Sequence, residues 1–223
     1  DSSADRFSGK TALSMCDNTI TYEKLKRLSE KTASHLQTHG IKRGDHVAIL
    51  SENRPEWGII FFGIAKAGAT AVCMDPFLTT KEIEFILKDS ESVCIFASES
   101  FVNTLKEISG SFPNLKDIIN IEEIDDLQED GFTTPGIDPD DTAILIYTSG
   151  TTGSQKGVML SHGNIVSDTL ASIERVPYKP GTNYLSLLPL SHMFGITVGL
   201  IAPLHNGGRC AYSPSLKGYE ILN

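Results

Sequence analysis

From Tyr22 onward the apolar positions of the chain alternate between a helical spacing and short unbroken runs. Tyr22, Leu25, Leu28 and Leu36 lie near one face of a helix that Thr21 can cap and Gly40 can stop. "HVAIL" (46–50) follows as a short buried strand. Pro55 stands where a first helical turn tolerates proline, Trp57, Ile60, Phe61 and Ile64 continue the helical spacing, and Gly68 closes it. "TAVCM" (70–74) is the next strand. The alternation goes on with helices near 80–89 and 100–109 and strands at 92–97 and 116–121. Beyond residue 141 the pattern predicts strands over "TAILIYTSG" and "GVMLS" (157–161), and a helix near 164–175. A strand "YLSLLP" (184–189), an apolar helix from about His192 to His205 and a strand "RCAY" (209–212) complete it.

Strands alternating with helices of this length call for βαβ units. The expected class is α/β, with mixed, mostly parallel sheets flanked by helices. Residues 122–141, "EEIDDLQEDGFTTPGIDPDD", are dense in carboxylates with Pro and Gly, and read as a solvated connector rather than a core element. The chain thus divides into a first α/β portion (1–121), an acidic connector (122–141) and a third portion (142–223).

Charge and composition narrow the function classes. A net charge of −9 over 223 residues argues against a nucleic-acid binder that works through general electrostatics, so any polyanionic ligand needs a local site. The apolar stretches "GIIFFGIA" and "GITVGLIAPL" are far shorter than the ~20 residues of a transmembrane helix and read as buried helices. The four cysteines, Cys16, Cys73, Cys94 and Cys210, form no C-x-x-C pair, so neither a cysteine zinc site nor a disulfide framework is expected, and a reducing cytoplasm is the simplest compartment. The opening "DSSADRFSGK" has no basic-then-apolar targeting pattern and reads as the start of a processed or excised segment.

The densest chemistry is "YTSGTTGSQKG" (147–157), a run of glycines, hydroxyls and one lysine directly after a buried strand. Glycines let consecutive backbone N–H groups converge on an anion, and the lysine and hydroxyls add donors, so a phosphate cradle is expected. The P-loop pattern, started at Gly150, needs glycine before Lys156 and Ser or Thr after it; Gln155 and Gly157 stand there instead. A strand rather than a helix follows, and the Rossmann fingerprint is absent. A plain surface hairpin explains the glycines but not the lysine with so many hydroxyls.

"LIYTSGTTGSQKGVMLSHGNIV" closely resembles the signature loop of the adenylate-forming superfamily, whose members include acyl-CoA synthetases, luciferases and peptide-synthetase adenylation domains. "LSENRPEWGIIFFGIAKAGATAVCMDP" (50–76) and "LLPLSHMFGITVGLIAPLHNGG" (187–208) resemble two further family segments, in a form closest to long-chain fatty acyl-CoA synthetases. The likeness runs from about Thr21 to Tyr212, and departs from the family at Gln155 and Cys73, where proline is common, and at Ser191, where an aromatic is common.

The resemblance implies a partial N-terminal domain of an adenylate-forming enzyme. It implies ATP-dependent activation of a carboxylic acid, of medium or long chain, to an acyl-adenylate with release of pyrophosphate, then transfer to coenzyme A. ATP, Mg²⁺ and coenzyme A are the implied cofactors. It assigns Thr148, Ser149, Gly150, Thr151, Thr152, Gly153 and Lys156 to the β- and γ-phosphates, with Thr148 nearest the magnesium ion, and Lys156 and His192 as the catalytic pair. His192, Phe194 and Gly195 would shape the acyl side, and His162 would brace the loop. The adenine and ribose motifs, the hinge and the C-terminal catalytic lysine of the family are missing, so these residues alone are expected to be inactive. An acyl-carrier-protein synthetase and a non-catalytic nucleotide-binding module are the alternatives. Cytoplasmic location, with or without peripheral membrane contact, is implied; the oligomeric state is not.

Overall fold

Thr21 Oγ1 accepts a hydrogen bond from Lys24 N–H at 3.1 Å and opens the first long helix, and Gly40 ends its turn at φ +73°. Local signals of this kind set most element boundaries in the computed structural model, which describes residues 2–149, 155–176 and 178–214. The order is α1 (Ser2–Phe7), β1 (Thr11–Met15), β2 (Asn18–Thr21), α2 (Tyr22–Thr38), β3 (His46–Leu50), α3 (Pro55–Lys66), β4 (Thr70–Met74) and α4 (Thr80–Asp89). There follow β5 (Cys94–Ala97), α5 (Glu99–Ile108), β6 (Asp117–Asn120), β7 (Thr142–Ser149), β8 (Gln155–Ser161), α6 (His162–Arg175) and β9 (Asn183–Ser186). Last come α7 (Met193–Ile196), a π-helical stretch (Thr197–Ile201), α8 (Ala202–His205) and β10 (Arg209–Tyr212).

Two sheets result. The larger has the order β6-β5-β3-β4-β7-β8, parallel throughout except for the antiparallel edge pair β7–β8. The smaller has the order β2-β1-β10-β9, with only β2 antiparallel. Alternation along the central strands sorts the core by face. Val47, Ile49, Ala71 and Cys73 pack with α2, α3 and the smaller sheet, while Ala48, Leu50, Val72 and Met74 pack with α4 and α5. Burial on both faces explains why these strands read as unbroken apolar runs. α2 and α3 approach so closely that a Cβ on Gly63 would lie 2.5 Å from Thr32 Cβ, so glycine is required there.

The mixed, mostly parallel α/β arrangement matches the expectation. Three details do not. The antiparallel pair β1–β2 gives no period-two signal, because Ala12, Leu13 and Ser14 are all buried in succession. The connector is more than solvated loop: Ile124 and Leu127 are buried, and Glu122 accepts from Arg54 and from the backbone of Glu99. Farther along, Ser34 Oγ donates to Gly131 O and accepts from Asp130 N–H, and Gln37 bonds Thr133. Anchoring on α2 fixes what composition alone reads as free chain. The first and third portions also interleave, since β7 completes the larger sheet and β10 pairs with β1.

Candidate phosphate-binding edge

Open parallel sheets present ligands at the carboxyl ends of their strands. Here that edge gathers Asn53 after β3, Asp75 after β4, and the mouth of the β7–β8 hairpin. The hairpin closes through the pair Ser149–Gln155, with Thr148 opposite Lys156. Opposed residues share a face with Cβ atoms about 5 Å apart. The Thr148 hydroxyl and the Lys156 ammonium therefore stand side by side on the face shared with Ile146, and both residues are exposed. Gly150, Thr151, Thr152 and Gly153 lie outside the described residues, as does the Ser149 side chain.

α4 holds the hairpin from the opposite face. Tyr147 donates to Asp89 Oδ2 at 2.6 Å and meets Phe85 edge-on at 6.3 Å. Burial, then the bonded Asp89 carboxylate, pushes the Tyr147 phenol pKa up, so it stays a donor. Tyr147 lies over Gly157, where a Cβ would come 2.9 Å from Leu145 Cδ1, so glycine gives the ring its seat. At the mouth, Gln155 Nε2 donates to Glu82 Oε1 at 3.4 Å. The other Glu82 oxygen accepts from Thr79 N–H at 2.8 Å and completes the capping box of α4. These hydrogen bonds from Thr79, the hydroxyl first, hold the Glu82 carboxyl below its usual pKa. The glutamine that replaces the family's common proline thus gains a side-chain tie to α4.

Asp75 organises the start of the 191–196 segment. Its carboxylate accepts from Phe77 N–H at 2.8 Å and from the buried Ser191 hydroxyl at 3.2 Å, and lies 3.7 Å from His192 Nε2. Asn53 clasps the same segment, donating to Leu188 O at 2.7 Å and accepting from Leu190 N–H at 2.9 Å. His192 stands at the start of the apolar helix, where the pattern begins it. It caps α7 in extended conformation, φ −114° and ψ 143°, with 57% of its side chain exposed. Next to it Phe194 is 66% exposed, and Gly195 is buried against the preceding loop, where a Cβ would fall 2.1 Å from Pro189 O. The π-helical turn that follows, a feature common at functional sites, is tied to α6 by Thr197 Oγ1 donating to Asp168 Oδ2 at 2.8 Å.

His162 does not brace the loop. It sits past the far end of β8, seven residues and roughly 20 Å of strand from the mouth. There its backbone N–H donates to Asp141 O, and Asp141 takes a bidentate pair of bonds from Arg43 at 2.7 and 2.8 Å. Asp75 and Asn53 were not singled out by spacing. Polar residues within three positions of the end of each buried strand are the signal that could have found them.

The sequence profile of the AMP-binding enzymes matches residues 1–220. The chain belongs to the AMP-binding enzyme family. It is 30% identical over 258 residues to a long-chain fatty-acid–CoA ligase of Bacillus subtilis, covering 99% of this chain and 46% of that protein. It is 33% identical over 208 residues to tyrocidine synthase 3 of Brevibacillus parabrevis, covering 92% of this chain and 3% of that protein. Its fold superposes with a TM-score of 0.87 on o-succinylbenzoate CoA synthetase of Bacillus subtilis in complex with the acyl-adenylate intermediate, at 28% identity, over 99% of this chain and 57% of that one. The chain spans less than half the length of both curated relatives. No helix among the described residues is long and apolar enough to cross a membrane.

Proposed function

We propose that the protein carrying this chain activates a carboxylic acid with ATP and passes the acyl group to coenzyme A. The observation that carries the reading is the hairpin mouth, where an exposed ammonium and an exposed hydroxyl stand opposite one another at the carboxyl edge of the parallel sheet. In the first step a carboxylate oxygen bonds to the α-phosphorus as its bond to the bridging oxygen breaks, and pyrophosphate leaves. In the second a thiol displaces AMP from the acyl carbon and loses its proton. Carboxylate and triphosphate repel, so the first step needs donors fixed where charge develops.

Lys156 and Thr148, with the loop 149–153, hold the β- and γ-phosphates in this reading. An oxygen donor beside bound phosphates suits Mg²⁺, which takes few protein ligands and keeps phosphate oxygens and waters; Thr148 is the residue that would hold it. When bound, the ion neutralises charge on the departing pyrophosphate. His192 takes the place between carboxylate and α-phosphate, and Asp75 orients it with Ser191. Phe194 and Gly195 shape the acyl entry. A medium- or long-chain fatty acid is the proposed substrate, on the likeness of 50–76 and 187–208 to fatty acyl-CoA synthetases. We further propose that residues 1–223, with 122–141 as the acidic connector, form the N-terminal part of the AMP-binding domain, and that these residues alone do not complete adenylation.

A second reading, transfer to a carrier-protein thiol, is kept open by the 33% identity to tyrocidine synthase 3, a relative whose name is not that of a CoA ligase. Carboxylate-dependent exchange of pyrophosphate into ATP tests the first step, and supplying coenzyme A or carrier protein separates the two acceptors. Exchange in the intact protein that survives Lys156→Ala at the wild-type rate would sink the assignment of the loop.

A further inference from the structure

At the opposite edge of the larger sheet, the end of α2 meets β6 in an arrangement that the phosphate chemistry does not use. His35 lies in the last turn of α2 and His39 caps it, one helical turn later on the same face. Their rings stand 4.0 Å apart between centroids. Asp117, the first residue of β6, completes the group, and one ligand atom from each of the three lies within 4.8 Å of the others. A small cavity of about 70 Å³, lined also by Cys94, Lys116 and Ile119, opens between them.

We infer that His35, His39 and Asp117 form a binding site for a divalent transition-metal ion of the zinc type. The donor atoms are already assigned by their other contacts. His39 Nδ1 lies 2.8 Å from His35 O. A carbonyl only accepts, so Nδ1 carries the hydrogen and Nε2 is left with the lone pair a metal takes. His35 is 8% exposed, and both of its ring nitrogens are buried with no hydrogen-bond partner among the described residues. A buried polar atom without a partner is costly, and a metal ion satisfies one nitrogen outright.

Two imidazoles and a carboxylate with one open position suit zinc, whose ligands at about 2.0–2.2 Å stand roughly 3.4 Å apart in a tetrahedron. Side-chain rotation of about an ångström closes the present group to that spacing, and the cavity has room for the ion and a water as fourth ligand. Lys116 is the competing cation at the site; its ammonium donates to Gly40 O at 3.5 Å. The site lies four strand steps, about 19 Å, from β7, so the ion ties helix to sheet edge without touching the phosphate hairpin.

The test is titration of the intact, untagged, metal-free protein with Zn²⁺ and Co²⁺. One equivalent is expected to bind saturably, with visible Co²⁺ d–d bands of a four-coordinate nitrogen and oxygen site and a melting temperature that rises with Zn²⁺. His39→Ala and Asp117→Asn, each at a solvent-accessible position that leaves the core intact, should weaken binding tenfold or more and abolish the rise, with pyrophosphate exchange unchanged. Wild-type affinity in both variants, the absence of saturable binding at millimolar ion, or a thiolate-to-cobalt charge-transfer band would each overturn the site.

Discussion

β4 and β8 belong to one sheet and live in different solvents. Every residue of β4 is buried, gripped from both faces by helices. β8, at the edge, is exposed from Lys156 to Met159 and is held mainly by its ladder with β7 and by the polar ties to α4. The difference teaches where chemistry can be placed. Side chains in the centre are committed to packing, so only the edge and the strand ends have hydroxyls and ammonium groups to offer a ligand. Changes in the centre should therefore act on folding, and changes at the edge on catalysis.

The sharpest attack on that division is Trp57→Ala. Trp57 on α3 is fully buried, stacks on Phe61 at 5.4 Å and fills the space between the two sheets. Truncation should cost about 3–5 kcal/mol, read as a lowered denaturant midpoint with the slope unchanged. A loss under about 1 kcal/mol would mean that the core does not depend on this packing. Lys156→Ala is the converse. Removing one charge-stabilising donor should slow pyrophosphate exchange by about 10²–10³, or some 2.7–4 kcal/mol, while the midpoint of this exposed site barely moves. If Lys156→Ala unfolds the protein instead, edge and centre are not separable.

The same contrast governs what could be read from the chain. Capping at Thr21, the stops at Gly40 and Gly68, and the runs at 46–50 and 70–74 are local features, and the helices and strands they predict form where expected. Lys156 and Thr148 stand out in the sequence because their spacing within a glycine-rich run has few structural explanations, and the structure sets them opposite one another on the β7–β8 ladder. Asp75, Asn53 and Glu82 act through partners more than seventy residues away, or, for Asn53, more than one hundred and thirty, and no local pattern reports such a distance. His192 stands where the hydrophobic spacing begins its helix, and the structure makes it the cap just before the first turn. Composition misled at 122–141, where Ile124 and Leu127 outweigh their acidic neighbours once α2 is beside them.

Gly195→Ala tests the boundary between the two regimes. The added methyl would meet Pro189 O at 2.1 Å, a backbone atom, with no flexible side chain to give way. Overpacking of this kind costs about 1–3 kcal/mol, and the yielding segment, 188–192, carries both the Asn53 clasp and His192. Stability and exchange rate should fall together, unlike either change above. A variant with normal exchange would show that the 188–192 geometry does not position His192 for the reaction.

The smallest effect is expected from pH. Burial lowers the His162 pKa, with Asp141 opposing. The unfolded chain then binds more protons than the folded one just below the ordinary histidine pKa of about 6.5, so the stabilising balance is present above that pH and is lost as pH falls through it. His35 is shifted the same way by burial, so both histidines contribute to the slope. Asp141 is lowered by its bonds from Arg43, and its contribution disappears only at more acidic pH, around the carboxylate range. Denaturant midpoints at pH 7.5 and 5.5 should differ in the wild type, and His162→Gln should narrow that difference without removing it. Because His162 lies at the end of β8 away from the mouth, the same variant should leave pyrophosphate exchange at pH 7.5 unchanged. A drop in exchange as large as that of Lys156→Ala would show that the two ends of β8 act as one unit.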